Sequence, residues 1–121
     1  MTRIQIKRVY DQVEESDGMR ILIDRLWPRG IRKEALELDA WPKELAPSAE
    51  ARREFGHRAE NFDAFAHRYR MELDASDAVR ACVEGLRSKA PQTLTLLYAA
   101  RDPQINHAVI LKQWLEERLG G

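Results

Sequence analysis

Two short runs of apolar residues constrain the fold more than any other feature of the sequence. The first, Ile21-Leu22-Ile23, lies inside a strand predicted at residues 20–24, and the second reads TLTLLY at residues 93–98. A strand with one face in water alternates apolar and polar residues, so a continuous apolar run indicates burial on both faces. Strands of this kind are typical of parallel sheets that are covered on each side. The two runs therefore predict an α/β fold.

A third strand is predicted at residues 3–9, where Ile4 and Ile6 alternate with polar neighbours. That alternation is typical of a strand with one exposed face. The polar loop DQVEESDG follows and ends in an Asp-Gly pair, which is a turn signal. The first strand is thus expected to be half-exposed.

Helices are predicted between and after the two apolar strands. Ser48, which follows Pro47, is a good N-cap for a helix at 49–55 that Gly56 ends. Apolar residues at three- and four-residue spacing predict an amphipathic helix at 62–75, and Ser76 begins another. The last helix spans about 104–119, and either Asp102-Pro103 or Asn106 provides its cap. The expected architecture is a single three-layer α/β/α domain over residues 1–121, with a small, mainly parallel sheet.

The composition narrows the class of partner. The chain has 121 residues, 20 of them basic and 20 acidic, so its formal charge is zero. Without a net positive field, we expect neither nucleic acid nor a membrane as partner. No apolar run approaches the ~20 residues of a membrane span, and the start lacks a signal-peptide core, so we expect a cytoplasmic protein. Whether the protein forms a homodimer remains open.

Cys82 is the only cysteine, which excludes an intrachain disulfide and a cysteine metal cluster. It falls on the apolar face of its predicted helix together with Val79, Val83 and Leu86. We therefore expect Cys82 to be buried and unreactive. No histidine pair has the spacing of metal ligands, and we expect neither a metal nor another cofactor.

A ligand site is predicted at the carboxyl ends of the strands, where ligands bind in open α/β sheets. The residues that follow each predicted strand are polar or aromatic, and parallel neighbours would bring them to one edge. We expect Arg25, Trp27, Asp102 and His107 to share one cavity there. In chain order the set is Tyr10 and Asp11, then Asp24, Arg25, Trp27 and Arg29, then Arg101, Asp102, Asn106 and His107.

The chemistry of this set favours a small anionic ligand. Residues 25–33 contain four basic side chains and no acid. Arginine binds phosphate and carboxylate with two parallel hydrogen bonds, so Arg25, Arg29 and Arg101 are candidate ligand-binding residues. Trp27 would provide a stacking surface, and Tyr10 is a further candidate for ligand binding. Asn106, another candidate, would lie at the start of the last helix, whose free N–H groups also attract anions.

Three functions are compatible with these residues. The first is a binding module for a phosphate-, carboxylate- or nucleotide-like molecule. The second is a hydrolase or transferase with His107 as acid or base, oriented by Asp24 or Asp102, and with no obvious protein nucleophile. The third is an adaptor that contacts protein or nucleic acid through the basic stretch 25–33.

Each site residue also has a structural interpretation. Trp27 would fill a gap between a loop and a helix, because indole side chains are most often core residues. Arg25 and Arg29 would pair with Asp24 or Asp11, and His107 would make a structural hydrogen bond.

Three motifs give the chain a resemblance to a known family. They read LIDRLWPRG at 22–30, ELAPS at 44–48 and LLYAARDPQINHAVIL at 96–111. Together they resemble the domain of unknown function 488 family, in its short, YeaO-like branch, and the likeness extends from Ile4 to about Leu119. The matching positions are Asp24, Arg25, Trp27, Pro28, Arg29, Gly30, Leu45, Ala46, Pro47, Ser48, Tyr98, Ala99, Asp102, Asn106 and His107.

The resemblance implies a single α/β/α domain from bacteria or archaea with no established activity. Longer members of the family tend to carry cysteines near the end of the corresponding strand and just before the histidine. Tyr98 and Asn106 hold those places here. The resemblance therefore gives no support to thiol or metal chemistry in this chain.

Overall fold

The sheet is parallel, as the apolar runs predict. A computed structural model describes residues 2–119, with strands β1 (Arg3–Arg8), β2 (Met19–Leu22) and β3 (Thr93–Tyr98). The strand order is β1-β3-β2, with Ile4 opposite Leu94 and Ile21 opposite Leu96. The α/β class and the small parallel sheet are confirmed, and the predicted bounds 3–9 and 20–24 extend slightly beyond the observed ends.

Within residues 2–119, five α-helices accompany the sheet. They are α1 (Lys33–Leu36), α2 (Ala49–Phe55), α3 (Phe62–Ala75), α4 (Asp77–Lys89) and α5 (His107–Arg118). The positions of α2 and α3 agree with the prediction, whereas α1 was not predicted. Since α1 has only four residues, it is too short for the apolar periodicity that identifies a helix from sequence.

The predicted helix caps of α2 and α4 are confirmed. The Ser48 hydroxyl accepts a hydrogen bond from the Ala51 amide, and Gly56 ends α2 in the left-handed region. Ser76 in the same way accepts from the Val79 amide at the start of α4. Serine provides the oxygen that a first-turn N–H lacks, which is why these positions could be identified.

Asn106, the second of the two alternatives, caps α5. Its Oδ1 accepts from the Val109 amide at 3.1 Å, and its Nδ2 donates to the Asp102 carbonyl at 2.7 Å. Asp102 instead closes a turn before the helix, because its Oδ1 accepts from the Gln104 and Ile105 amides. These two amides hold the pKa of Asp102 below its usual range.

One face of the sheet packs against α2 to α5. Alternate strand residues such as Ile4, Ile21 and Leu96 join one apolar cluster with side chains from these four helices. Tyr69 of α3 is fully buried in this cluster. The helices thus form the thicker of the two layers that cover the sheet.

The other face is covered by the segment that follows β2 and contains α1. Leu22 and Leu97 point to this side and pack with Leu36, while Trp27 and Trp41 are partly buried against them. The apolar area on this side is small. The rest of the face is polar.

A buried ion cluster occupies that polar part. Asp17 is 1% exposed, and its carboxylate lies 2.6 Å from Arg20 Nη1 and 3.0 Å from Lys7 Nζ. Burial raises the pKa of Asp17, but hydrogen bonds from the Glu14 amide, Lys7 and Arg20 outweigh this and leave the pKa below its usual range. The carboxylate is therefore charged at neutral pH.

Gly18 follows this carboxylate at a close approach of two backbones. It has φ +63°, and a Cβ added there would lie 2.5 Å from the Thr93 carbonyl oxygen. The Asp-Gly turn read from the sequence is thus a position where only glycine fits.

None of the helices in the described part of the chain is long and apolar enough to span a membrane.

We predict that Asp17→Asn lowers the free energy of unfolding at pH 7 by about 3 kcal/mol, because it leaves buried cations without their counter-charge. A depressed carboxylate pKa contributes stability above its unfolded value and loses it as the pH falls through the folded value. The difference between wild type and variant should therefore shrink below about pH 4. Urea denaturation across pH 2–7 measures it.

Glu14→Gln is the matched control, because Glu14 contacts the same Lys7 Nζ at 2.8 Å but is 62% exposed. A surface ion pair of this kind contributes at most about 1 kcal/mol. Equal losses from the two substitutions would show that burial of Asp17 does not matter.

Cys82 is half-buried, so the expectation of full burial was wrong. The side chain lies at the edge of a small groove between α4 and residues 40–42. Burial, and to a smaller extent the charge of Glu44, raises the pKa of the thiol to about 11.

We predict that a thiol reagent labels native Cys82 at pH 7.5 roughly 100-fold more slowly than a free cysteine, because the thiolate is scarce. Labelling should accelerate tenfold per pH unit up to the thiol pKa. A pH-independent rate equal to that of the unfolded protein would contradict the raised pKa.

Candidate functional site

A cavity of about 280 Å³ lies where β2 and β3 end and α5 begins. We call it the site cavity. Its polar lining residues are Asp24, Arg25, Arg52, His57, Asn106 and His107. Its apolar lining residues are Pro47, Phe55, Phe65, Ala99 and Ala100.

Asp24 links the three elements that meet at this cavity. It follows β2, and its Oδ2 accepts a hydrogen bond from the Ala99 amide, just after β3, at 3.0 Å. Its Oδ1 lies 2.9 Å from Nε2 of His107, the first residue of α5. The carboxylate thus fixes the positions of both neighbouring elements relative to β2.

His107 is held by acceptors on one side of its ring. Nε2 lies 3.2 Å from the Ile23 carbonyl as well as close to Asp24. Because both neighbours accept hydrogen bonds, we place the proton of the neutral ring on Nε2. The hydrogen bond is aligned with Ile23, and Asp24 Oδ1 receives no aligned hydrogen bond. His107 therefore has a structural contact as well as a place in the cavity.

Two arginines line the same cavity. Arg25 is exposed and donates only a long hydrogen bond, 3.5 Å, to the Pro47 carbonyl. Arg52 is partly buried, and its buried Nε has no hydrogen-bond partner among the described residues. Within residues 2–119, neither guanidinium forms an ion pair with a carboxylate. The alternative that Arg25 pairs with Asp24 or Asp11 is therefore wrong.

The carboxyl end of α2 supplies the aromatic part of the lining. Phe55 stacks on Phe65 of α3, with ring centroids 4.4 Å apart and planes 8° apart. His57, two residues after Phe55, has φ +57° and follows Gly56, which also has a positive φ. A non-glycine residue in this region costs about 1 kcal/mol, a strain that often accompanies functional sites.

Two buried tyrosines near the cavity stay protonated. Burial, together with the charges of Asp24 and Glu72, raises the pKa of Tyr69 well above its usual value, and its hydroxyl donates to the Leu45 carbonyl. Burial also raises the pKa of Tyr98. Neither phenol provides an ionised nucleophile at neutral pH.

The structure brings together four of the residues that the sequence nominated for the site: Asp24, Arg25, Asn106 and His107. Asn106 uses both polar atoms of its amide in the α5 cap. It therefore shapes the cavity and has little left to offer a ligand.

Trp27 does not line the site cavity, contrary to the expectation of one shared cavity. It packs edge-on against Trp41, at 5.5 Å between centroids, on the other face of the sheet. Its Nε1 donates to the Ile31 carbonyl at 2.8 Å. Trp41 reaches the site indirectly, because its Nε1 donates to the Asp24 carbonyl at 2.7 Å.

The remaining nominated residues also lie outside the cavity. Asp102 is exposed and occupied by its turn, and Arg101 is exposed beside it. Tyr10 is 48% exposed, and its hydroxyl donates to the backbone carbonyl of Arg29. Arg29 itself is exposed, with no carboxylate partner among the described residues. Arg29 lies outside the cavity because the chain turns away from it after Arg25.

The basic stretch 25–33 is followed at once by exposed acids. Arg32 and Lys33 are exposed, and so are Glu34 and Glu37. Negative charges thus lie directly beyond the basic stretch in the sequence.

Arg52, His57, Phe55 and Phe65 were not nominated from the sequence. The spacing of Phe55 and Arg52 places them one helical turn apart, which the helix prediction already contained. The sequence did not predict that the end of α2 lies over the carboxyl ends of β2 and β3. That placement depends on how the helix packs against the rest of the protein.

No group of three or more histidine, cysteine, aspartate or glutamate residues in the described region is arranged to hold a metal ion.

We predict that Asp24→Asn lowers the free energy of unfolding by about 1–3 kcal/mol, because the amide must turn its NH2 group toward either the Ala99 N–H or His107 Nε2, and both are donors. Asp102→Asn is the control, since its amide oxygen can still accept from both backbone N–H groups of its turn. Urea denaturation at pH 7 compares the two. Equal effects would mean that the Asp24 contacts do not hold the site together.

The comparisons with known proteins identify a family and assign no activity. A family model described as "Inactive DUF488-N3 subclade" matches residues 3–120. The chain is 46% identical over 112 residues to the uncharacterized protein YeaO of Escherichia coli, covering 93% of this chain and 96% of that protein.

It is also 39% identical over 117 residues to the uncharacterized protein Rv3073c of Mycobacterium tuberculosis, covering 97% of each. No solved structure matches the chain. The matches to the family model and to YeaO extend over nearly the whole chain, and the chain therefore belongs to the domain of unknown function 488 family, in its YeaO-like branch.

Proposed function

We propose that the protein binds a small anion in the site cavity through the guanidinium groups of Arg25 and Arg52. The observation that carries the proposal is that both arginines line one cavity without a carboxylate partner among the described residues. A partly buried guanidinium without a counter-charge is costly, and a bound carboxylate or phosphate would remove that cost.

Several other arginines of the chain do have carboxylate partners. Arg20, Arg68 and Arg118 each lie within ion-pair distance of at least one carboxylate. The guanidinium of Arg8, which is also partly buried, has no carboxylate partner within residues 2–119 but donates to the Ala99 and Ala100 carbonyls. The buried Nε of Arg52, in contrast, has no acceptor among the described residues.

The charge of the cavity also favours an anion. Asp24 is its one carboxylate among the described residues, and it is already engaged by the Ala99 amide and His107. Two permanent positive charges therefore face one negative charge, before any protonation of His57 or His107.

Binding fits the lining better than catalysis does. No serine, threonine, cysteine, lysine or tyrosine of the described residues lines the cavity, and its one carboxylate, Asp24, is engaged by the Ala99 amide and lies against His107. The word "Inactive" in the family description points the same way.

A second candidate function, acid–base catalysis by His107, is favoured by its 2.9 Å contact with Asp24. A carboxylate that orients an imidazole is a recurring catalytic arrangement. In this function, water or a second substrate would have to be the nucleophile.

We predict that inorganic phosphate stabilises the wild type in a thermal-shift titration, and that Arg25→Ala and Arg52→Ala each weaken its apparent affinity at least tenfold. A hydrogen bond to a charged group contributes about 1.5–3 kcal/mol, which corresponds to a factor of this size or larger. Ligand stabilisation scales with occupancy, so the shift reports affinity directly.

Arg53→Ala is the matched control, because Arg53 lies next to Arg52 on α2 but is exposed and outside the cavity. Arg29→Ala separates the cavity from the basic stretch. Loss of the phosphate response in Arg29→Ala, with none in Arg52→Ala, would place the anion on that stretch and contradict the proposal.

A further inference from the structure

We infer that the anion bound in the site cavity carries an aromatic ring, so that the ligand class is an aromatic carboxylate or an aromatic phosphate. This inference rests on the proposed function, because it concerns the part of the ligand that the arginines do not hold. The basis of the inference is that aromatic side chains and the two arginines line the same cavity.

The apolar wall of the cavity is built largely from aromatic rings. Phe55 and Phe65 line it together, stacked at 4.4 Å. The His57 ring lines it as well, with its centroid 5.6 Å from that of Phe55 and its plane tilted by 46°. Three rings from the end of α2 and from α3 thus contribute to one side of the same space.

The two arginines of the cavity belong to different elements of the fold. Arg25 follows β2, and Arg52 lies one helical turn before Phe55. A ligand that meets both sets needs an apolar body joined to an anionic end. Inorganic phosphate alone would fill only the polar part.

Ring chemistry favours an aromatic body over an aliphatic one of equal size. Aromatic pairs gain about 0.5–1.5 kcal/mol beyond the area they bury, which corresponds to roughly threefold to tenfold in affinity. Arginine adds to the same preference, because its planar guanidinium stacks on ring faces.

The volume limits the size of the ligand. A cavity of about 280 Å³ is at the lower end of the range for small-molecule sites. It suits a single ring system with one anionic group.

The decisive experiment compares acids that differ only in the ring. Isothermal titration of the full chain with benzoate and with cyclohexanecarboxylate holds charge and size nearly constant. We expect benzoate to bind about threefold to tenfold more tightly. Phenyl phosphate against cyclohexyl phosphate makes the same comparison for phosphates and shows which of the two sources of aromatic anion the cavity prefers.

Phe55→Leu should reduce the preference for benzoate over cyclohexanecarboxylate to about one, because the wall then lacks its central ring. Phe62→Leu is the matched control. The ring centroid of Phe62 lies 5.7 Å from that of Phe55, but Phe62 does not line the cavity. If Phe55→Leu does not fold, the comparison of the two acids on wild type decides alone.

The outcomes separate this inference from the function it rests on. Equal affinities within both pairs of ligands, or binding of inorganic phosphate but of none of the four organic anions, would overturn the aromatic class and leave anion binding intact. Absence of any binding, phosphate included, would overturn both.

Discussion

The central strand β3 is the element on which the rest of the structure depends. It has a hydrogen-bonded neighbour on each edge and a covering layer on each face, so residues 94–98 are all buried. Its position also determines where chemistry can occur, because the chain leaves it at Ala99 beside the end of β2. One hydrogen bond, from the Ala99 amide to Asp24, then joins the two strand ends.

The predictable part of the fold is the part that local chemistry specifies. Continuous apolar runs identified β2 and β3 because no exposed strand has that pattern, and serine caps identified the starts of α2 and α4. Two caps were possible at the start of α5, Asp102 and Asn106, and the sequence alone did not distinguish them. The choice follows from the turn at Asp102, which satisfies that carboxylate before the helix begins.

The site was predictable in its location but only partly in its members. Asp24, Arg25 and His107 directly follow strands or begin a helix, so the parallel sheet alone brings them together. Trp27 is only three residues beyond Asp24, yet the chain has already crossed to the other face. Arg52 comes from a helix whose placement depends on packing of Phe55 against Phe65, and no local pattern encodes such a contact.

The two faces of the sheet are stabilised by different physics. The helical face relies on a continuous apolar cluster, whereas the other face combines a few apolar side chains with the Asp17, Lys7 and Arg20 ions. Trp41 connects this second layer to the cavity, since its indole holds the Asp24 carbonyl. Changes on the far side of the sheet can therefore reach the site through one backbone group.

The strand order has a consequence for how the chain acquires its fold during synthesis. Arg3 pairs with Thr93, so β1 and β2 have no partner strand until residues 93–98 leave the ribosome. Pairing over such a separation closes a long loop, which slows folding. Until then both strands lack their sheet partner, a state prone to aggregation. The helices α3 and α4, whose backbone hydrogen bonds are local, are the elements able to form first, and the sheet is completed after residues 93–98 have emerged.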